Sequence, residues 1–599
     1  MKYKLIENNK DYDNFLYTIL SNRGIDNPLE YINVSQNDIL SPRLLDNIDK
    51  GVKVLAKAIK DKVKIAILVD TDVDGYTSAS IMYMFLKKIG VENVSYLLHQ
   101  EAKTHGLSAR DVFIDKEIGL LIIPDAGTND FQECKELVEQ FGMDILILDH
   151  HEKEVENPYA VIINNQCSDR YTNKALSGVG VVFQFLRYFN LQDLGLEHYN
   201  PINFIDLVAL GLIGDVMDIR NYENKAICNI AIENMKMGRI NPFFEALINK
   251  NNYSMNNVIN IKNIQWVIVP QINAMIRVGS YEEKEMLFRA FIGEQEEFDF
   301  LKRDGTVVEE NLQERVARLC SNEKGKQDRQ KKKMVNTLVN GIEQECQNDK
   351  VIVYDATNVV TNDLTGLVAS SLASKFSRPV ILLHGREDKL GGSARNCKNS
   401  FVENLKDEVS SVNVLDFALG HQSAFGVMVD REKMELFKEK MNDKFRDIDV
   451  DKVYYVDFKL YDEDVNVALC NDIVRIKDYI CSDIEEPLVY VEDVNVNLTN
   501  CNLMGKNQDS ISYVNMNGVK YVFFTLDEKN EFLQAVRNKS NSTFILNIIG
   551  NPDVNYYQGL ATPQFTVIDF EIVDKMEENN GWDTDEIEDL EDGWGESAW

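Results

Sequence analysis

Carboxylates and imidazoles concentrate at three points in the first quarter of this 599-residue chain. The apolar run VKIAILVD ends at Asp70 and continues as T-D-V-D-G, which adds Asp72 and Asp74 at two-residue spacing. GLLIIPD ends at Asp125, and DILILD ends at Asp149 and runs straight into His150 and His151. Such groups, once gathered, hold divalent cations: carboxylate oxygens suit hard ions, and imidazole widens the choice to transition metals. Hydrolysis at a metal centre is therefore the first chemistry these residues suggest. One D-x-D-x-D turn is also compatible with a solvated acidic loop, but three acid-tipped runs are not explained that way. Asp215, after FIDLVALGLIG, is a weaker signal alone and could complete the shell of a second ion.

To act together, these side chains must be carried to one place. Short β-branched apolar runs read as strands buried on both faces of a parallel sheet. In an open α/β sheet, ligands bind in the crevice beyond the carboxyl ends of the strands, which is where all three acids fall. On an extended strand, Asp70, Asp72 and Asp74 would point the same way. Gly75 is expected to let the chain turn, and TSASI to open a helix whose N–H groups can face an anion.

Strand-like runs alternate with helical patterns from 61 to about 215, and residues 225–345 read as mostly helical apart from QWVIVPQINA. Within 307–345, a long polar helix pattern carries Lys324, Lys326, Arg329, Lys331, Lys332 and Lys333. A helix without a broad apolar face often bridges domains, and its basic cluster is either a track for a polyanion or a solvated face. KVIVYDA and PVILLHG open a second α/β unit, and after about 455 short alternating runs with Asn, Gly and Asp turns suggest a small β-barrel. Its Phe523, Phe524, Tyr556 and Tyr557 are candidates for base stacking or simply core and turn residues. The expected domains are an N-terminal helical segment (1–60), a parallel-sheet domain (61–305), a connecting helix (306–348), a smaller α/β domain (349–450), a β domain (451–575) and an acidic tail (576–599).

The formal charge of −33 is unusual for a polyanion binder, and only ten of the acids responsible lie in the tail. Any nucleic-acid contact must come from local basic patches and bound cations. Nine scattered cysteines without a C-x-x-C exclude a zinc-ribbon or disulfide frame and fit a reducing compartment. No run of about 18 apolar residues appears, so no membrane span is expected. The N-terminus lacks a signal-peptide core, and a cytoplasmic protein is expected.

The motifs D-x-D-x-D-G, a lone strand-end Asp, D-H-H and G-x-x-x-D (Gly211 to Asp215) resemble the four motifs of the DHH phosphoesterases. LSGVGVVFQFL (176–186) is similar to that family's L-S-G-x-G-V segment. ALGLIGDVMDIRNYEN (209–224) and PQINAMIR (270–277) resemble stretches of the RecJ nucleases. GGSARN (391–396) and LGHQSAFG (419–426) resemble motifs of the DHH-associated domain. Together they cover about residues 61–430. The chain departs from the pattern at Ile276, where the family has Gly, at Asp218 in place of Pro, and at Gly420, which keeps one of two glycines.

The resemblance implies an α/β fold: a parallel-sheet DHH domain and a smaller DHH-associated domain joined by a long helix, followed by an OB-like β-barrel. It implies that Asp70, Asp72, Asp74, Asp125, His150 and Asp215 hold two divalent ions, manganese first and magnesium second, with Asp125 bridging. Catalysis would rest on His151, Asp125 and Asp149, His151 contacting the phosphate and Asp149 orienting a histidine. Ser393, Arg395, His421, Arg277 and Gly392 would bind the substrate. The implied activity is exonucleolytic cleavage of single-stranded DNA, 5′ to 3′, by a two-metal-activated hydroxide, in repair, recombination or replication. A phosphodiesterase of short oligoribonucleotides or cyclic dinucleotides, and an inactive DHH scaffold in a replication complex, are the other readings. A monomer is expected, its acidic Trp-containing tail suited to a single-strand-binding or replication protein.

Overall fold

The computed structural model describes residues 1–6, 14–100, 105–108, 114–302, 304–385, 388–398, 400–448, 453–540, 542–557 and 560–577. All but the first two residues of the expected acidic tail (576–599) therefore lie outside the described residues. The chain forms two compact units, one of residues 20–452 with 477–485, the other of residues 1–19, 453–476 and 486 onward.

The larger unit contains, among its described residues, two five-stranded sheets and one two-stranded hairpin. Strands β1 (Lys64–Val69), β2 (Val94–Leu98), β3 (Ile118–Pro124), β4 (Asp144–Asp149) and β5 (Val161–Asn164) form a wholly parallel sheet in the order β2-β1-β3-β4-β5. Ile65 to Val69 and Leu120 to Ile123 are at most 1% exposed, as continuous apolar runs between helical layers require. The order reverses between β1 and β3, so the crevice of the sheet opens there. Helix α1 (Val73–Lys88) follows β1 and is buried on nearly every side. Helices α2 (Gly178–Asn190) and α3 (Ile205–Gly214) pack against it, and both are buried along almost their whole length.

Three expectations in this unit need correction. The acids of D-T-D-V-D-G do not share an extended strand: α1 begins at Val73, so Asp72 is its N-cap and Asp74 lies in its first turn. Asp72 accepts from the Gly75 amide at 2.9 Å, and that capping bond favours helix over strand. QWVIVPQINA is helical, a π-turn (Ile264–Ile268) running into α4 (Val269–Val278), with Pro270 tolerated because it sits in the first turn. The long polar helix, α5 (Leu312–Glu345), starts later than expected, because residues 307–311 pair antiparallel with Glu297–Leu301. Asn311 ends that hairpin and caps α5 in a reciprocal box with Glu314.

Beyond α5, β6 (Ile352–Asp355), β7 (Val380–His384), β8 (Lys389–Arg395), β9 (Phe417–His421) and β10 (Ala424–Asp430) form a mixed sheet ordered β9-β10-β8-β7-β6. Only β6 and β7 are parallel, and α6 (Thr365–Phe376) covers one face. Among the described residues, no helix is long and apolar enough to cross a membrane.

The smaller unit is built on a seven-stranded mixed sheet whose two longest strands, Ser542–Tyr557 and Leu560–Glu577, pair antiparallel. This arrangement is compatible with an OB-like domain. The N-terminal residues Lys2–Leu5 are a strand paired parallel with Val453–Val456, not the start of a helix. The local helical pattern of the N-terminus is overridden there because the strand finds an edge to pair with. Phe523 is core, whereas Phe524 and Tyr556 are exposed.

Candidate metal centre

Asp70 and Asp125 stand directly after β1 and β3, on either side of the point where the strand order reverses. Asp149 is the last residue of β4, and His150 follows it. Asp72 and Asp74 enter from the first turn of α1, and Asp215 is the C-cap of α3. Two close approaches permit this crowding. A Cβ on Gly75 would lie 2.6 Å from the Asp70 Cβ, and one on Gly178 would lie 2.3 Å from Asp125 Oδ1. Gly75 thus serves contact with Asp70 inside a helix, not the turn expected of it.

Ligand atoms of Asp70, Asp72 and Asp125 lie within 4.8 Å of one another. The same holds for Asp74, His150 and Asp215, and for Asp125, Asp149, His150 and His151. His150 Nε2 is 3.2 Å from Asp125 Oδ1 and 3.5 Å from Asp215 Oδ2, yet both of these buried oxygens lack a hydrogen-bond partner. Asp74 accepts from the Gly178 and Val179 amides at the N-terminus of α2 (2.6 and 3.1 Å) and from Ser177 Oγ. Asp70 accepts from the Gly106 amide at 2.9 Å and bonds His105 Nδ1 at 2.7 Å. Asp149 bonds His151 Nδ1 at 2.7 Å and accepts from the His150, His151 and Thr128 amides.

The electrostatics separate these carboxylates. Burial, with the charges of Asp74, Asp72, Asp215 and Asp70, pushes Asp125 well above the carboxylate range. Burial and the neighbouring acids raise Asp72 to about 6 and Asp215 to about 9. Burial also raises Asp74, against the pull of the α2 amides. His150 is lowered to about 4 by burial and by the charge of His151, which leaves a neutral imidazole available as a ligand. Burial works against the charges of Asp149 and His151, but their mutual hydrogen bond and electrostatic attraction together outweigh it, lowering the acid and raising the imidazole. A buried cluster of acids with raised pKa values and orphaned oxygens lacks positive charge, and divalent ions supply it. The donor set fits such ions.

The residues expected to bind substrate fall in the second sheet and on α4. Ser393 and Arg395 are two apart on β8 and share a face. Both adjoin the start of α6, where a Cβ on Gly366 would be 2.4 Å from Arg395 Nη2 and 3.6 Å from Ser393 Oγ. That helix has no side-chain N-cap. Arg395 and His421 each pair with Ala424, which puts them two strands, about 10 Å, apart on one face. Arg277, exposed in the last turn of α4, lies near enough that its charge, after burial, lowers Arg395. Gly392 alternates to the opposite face, its backbone against the Leu382 carbonyl. On α5, Lys324, Lys326 and Lys331 pair with acids of the same helix, while Arg329, Lys332 and Lys333 lie with Asn336 and Thr337 on one exposed face of that helix.

Sequence reasoning missed His105 and His99, whose ring nitrogens lie 2.7 and 4.0 Å from Asp70. His105 also meets the ring of His151 edge-on, with centroids 4.7 Å apart. Histidine scarcity was the available signal, since four of the chain's seven histidines surround this cluster.

Residues 64–212 match the DHH family, N-terminal domain. The chain is 34% identical, over 96% of its own length and 98% of the relative's, to the SPbeta prophage-derived single-strand DNA-specific exonuclease YorK of Bacillus subtilis. It is 25% identical to the single-stranded-DNA-specific exonuclease RecJ of Bacillus subtilis, over 92% of this chain and 67% of RecJ. RecJ from Thermus thermophilus, solved in complex with Mn2+, shares the fold with a TM-score of 0.70 at 18% identity, over 96% of this chain and 80% of that one. The chain belongs to the DHH family, in the branch of its RecJ-like exonucleases.

Proposed function

We propose that this protein is a metal-dependent exonuclease that hydrolyses single-stranded DNA from the 5′ end. The carrying observation is the cluster of buried acids with two unpartnered oxygens at the switch point of the sheet, in a chain alike to YorK over almost its full length. Asp70, Asp72, Asp74, Asp125, His150 and Asp215 would hold two divalent ions, manganese by the mixed ligand set or else magnesium. Asp70 and Asp74 already accept protein hydrogen bonds on both oxygens, but each carboxylate keeps lone pairs for a cation. When bound, such ions lower the pKa of water toward neutrality and neutralise the scissile phosphate.

The chain's own groups do the rest. Asp149 fixes His151 through Nδ1, so the other ring nitrogen is free to donate to a phosphate oxygen from a half-exposed position. Arg395 offers a fork that lysine cannot reproduce, and with Ser393, Arg277 and the open start of α6 it would grip a phosphate one or two positions from the cut. His421 extends that face, and Gly392 keeps the strands close beneath it. The exposed helix face of Arg329, Lys332 and Lys333 would steer the strand, giving an acidic protein local positive charge where the polymer runs. The domain limits 61–305 and 349–450 mark the metal-binding and phosphate-gripping parts. We assign the activity to DNA repair, recombination or replication in the cytoplasm, carried out by a monomer whose acidic tail docks on a basic groove of a single-strand-binding or replication protein.

Purified protein with Mn2+ and end-labelled single strands, duplexes and dinucleotides tests this. Mononucleotides released from the 5′ end of single strands are expected. Activity confined to dinucleotides would overturn it in favour of a short-RNA or cyclic-dinucleotide phosphodiesterase, and no turnover at all in favour of a scaffold.

A further inference from the structure

Helix α3 ends in a six-residue hydrogen-bond pattern that needs a left-handed residue just after Asp215. The Met217 amide donates to the Leu212 carbonyl at 3.1 Å and the Val216 amide to the Ile213 carbonyl at 3.3 Å. This pairing closes a helix through one residue of positive φ, a place that glycine usually fills. Here the residue is Val216, at φ +58°. A β-branched side chain is the least suited of all to that backbone, because its Cβ substituents crowd the neighbouring carbonyl.

Val216 is 53% exposed, so its isopropyl group fills no core. The motif itself needs only the backbone, which glycine would supply without strain. The position is telling. Asp70, Asp74 and Asp125 are sealed at 2% exposure or less, whereas the side chains of Asp215 and His151 are 29% and 43% exposed. The cluster therefore opens where Asp215, His151 and His105 (side chain 51% exposed) reach solvent, and Val216 directly follows Asp215 in the chain. A strained, solvent-facing apolar group beside a reacting centre has a use only when something covers it.

We infer that Val216 is a substrate-contacting residue: its methyl groups pack on the apolar sugar–base surface of the nucleotide beside the scissile phosphate. The inference rests on the nuclease reading above and adds to it a non-polar determinant in a site otherwise made of charges. The contact helps hold the nucleotide in register while the acids and His151 act on its phosphate.

Two substitutions separate contact from backbone stiffness. Val216→Ala removes the methyl groups and keeps a Cβ in the left-handed region, whereas Val216→Gly removes both. Steady-state cleavage of a single-stranded oligonucleotide, thermal melting and Mn2+ affinity are measured for both variants and the wild type. Both should raise KM about 3- to 10-fold, one lost apolar contact, with kcat within about 2-fold. Val216→Gly should melt higher by roughly 1–2 °C and Val216→Ala by less, and Mn2+ affinity should not change in either. Unchanged KM in both variants overturns the contact. A defect confined to Val216→Gly and accompanied by weaker Mn2+ binding overturns it too, in favour of a residue that merely stiffens Asp215. A wild-type protein that cleaves no single strands would instead overturn the nuclease reading itself.

Discussion

The two α/β regions of the larger unit solve opposite electrostatic problems with the same device. At the carboxyl edge of the first sheet, acids are buried against one another and their pKa values rise. On the face of β8 in the second sheet, Arg395 is half-buried beside Arg277 and its pKa falls. Each is a like-charge cluster that costs stability when alone, and on the proposed reading each would be completed by a ligand of the opposite sign: divalent cations in one, a phosphate in the other. Binding then recovers what assembly cost. A chain of net charge −33 would hold a polyanion this way, with cations covering the acids where the strand passes and arginines gripping it.

The largest break in this comparison should come from the acid cluster. Asp125→Ala should lower kcat by more than about 100-fold, beyond the usual loss for an outer-shell partner of a metal. Asp125→Asn should do the same while raising the melting temperature of the metal-free protein, since an amide escapes the cost of keeping a buried carboxyl protonated among neighbouring acids. A metal-free melt that falls would refute the like-charge argument. Asp149→Asn should cost roughly 10- to 100-fold in kcat with little change in KM, because the acid orients His151 and does not bind the strand.

The basic cluster should respond differently. Arg395→Lys keeps the charge but loses the fork, and about a 10-fold rise in KM is expected with kcat largely kept. A fall in kcat of the same size with KM unchanged would place Arg395 at the reacting phosphate instead. The smallest effect concerns pH. Asp72 and Asp215 titrate in the fold at about 6 and about 9, above the unfolded value of 3.8. Their contribution to the metal-free fold is thus full below that value and is lost as pH rises through about 6 and then about 9. Divalent ions need the ionised forms, so the gain in melting temperature on adding Mn2+ should widen by a few degrees between about pH 6 and about pH 9. Paired melts with EDTA and with Mn2+ measure it, and a gain that is flat with pH would count against the assignment.

The sequence alone carried the acid-tipped strands, because burial on both faces forces an uninterrupted apolar run and the polar residue that ends it stands out. The D-H-H pair and Asp215 were legible by type and spacing, as were Ser393 and Arg395. Local reading failed where tertiary partners decided the outcome. QWVIVPQINA has the composition of a strand but is helical, packed between α3 and α5. Lys2–Leu5 sits in a helix-like segment but pairs with a strand more than 400 residues away, a partner no local pattern encodes.

What the sequence determined was therefore the kinds of groups present and the elements that carry them. Only the tertiary structure decided which acids share a site and in what protonation state. Asp70 became an acceptor for the Gly106 amide, Asp74 for the amides of α2 and Asp149 for the Thr128 amide, because crossing elements bring donors that lie 21 to 105 residues away in sequence. Burial and those partners, not residue type, set one aspartate well below its ordinary pKa and another well above it. The same holds for Val216, an ordinary valine in the sequence, whose strain and exposure exist only once α3 has ended beside the metal cluster.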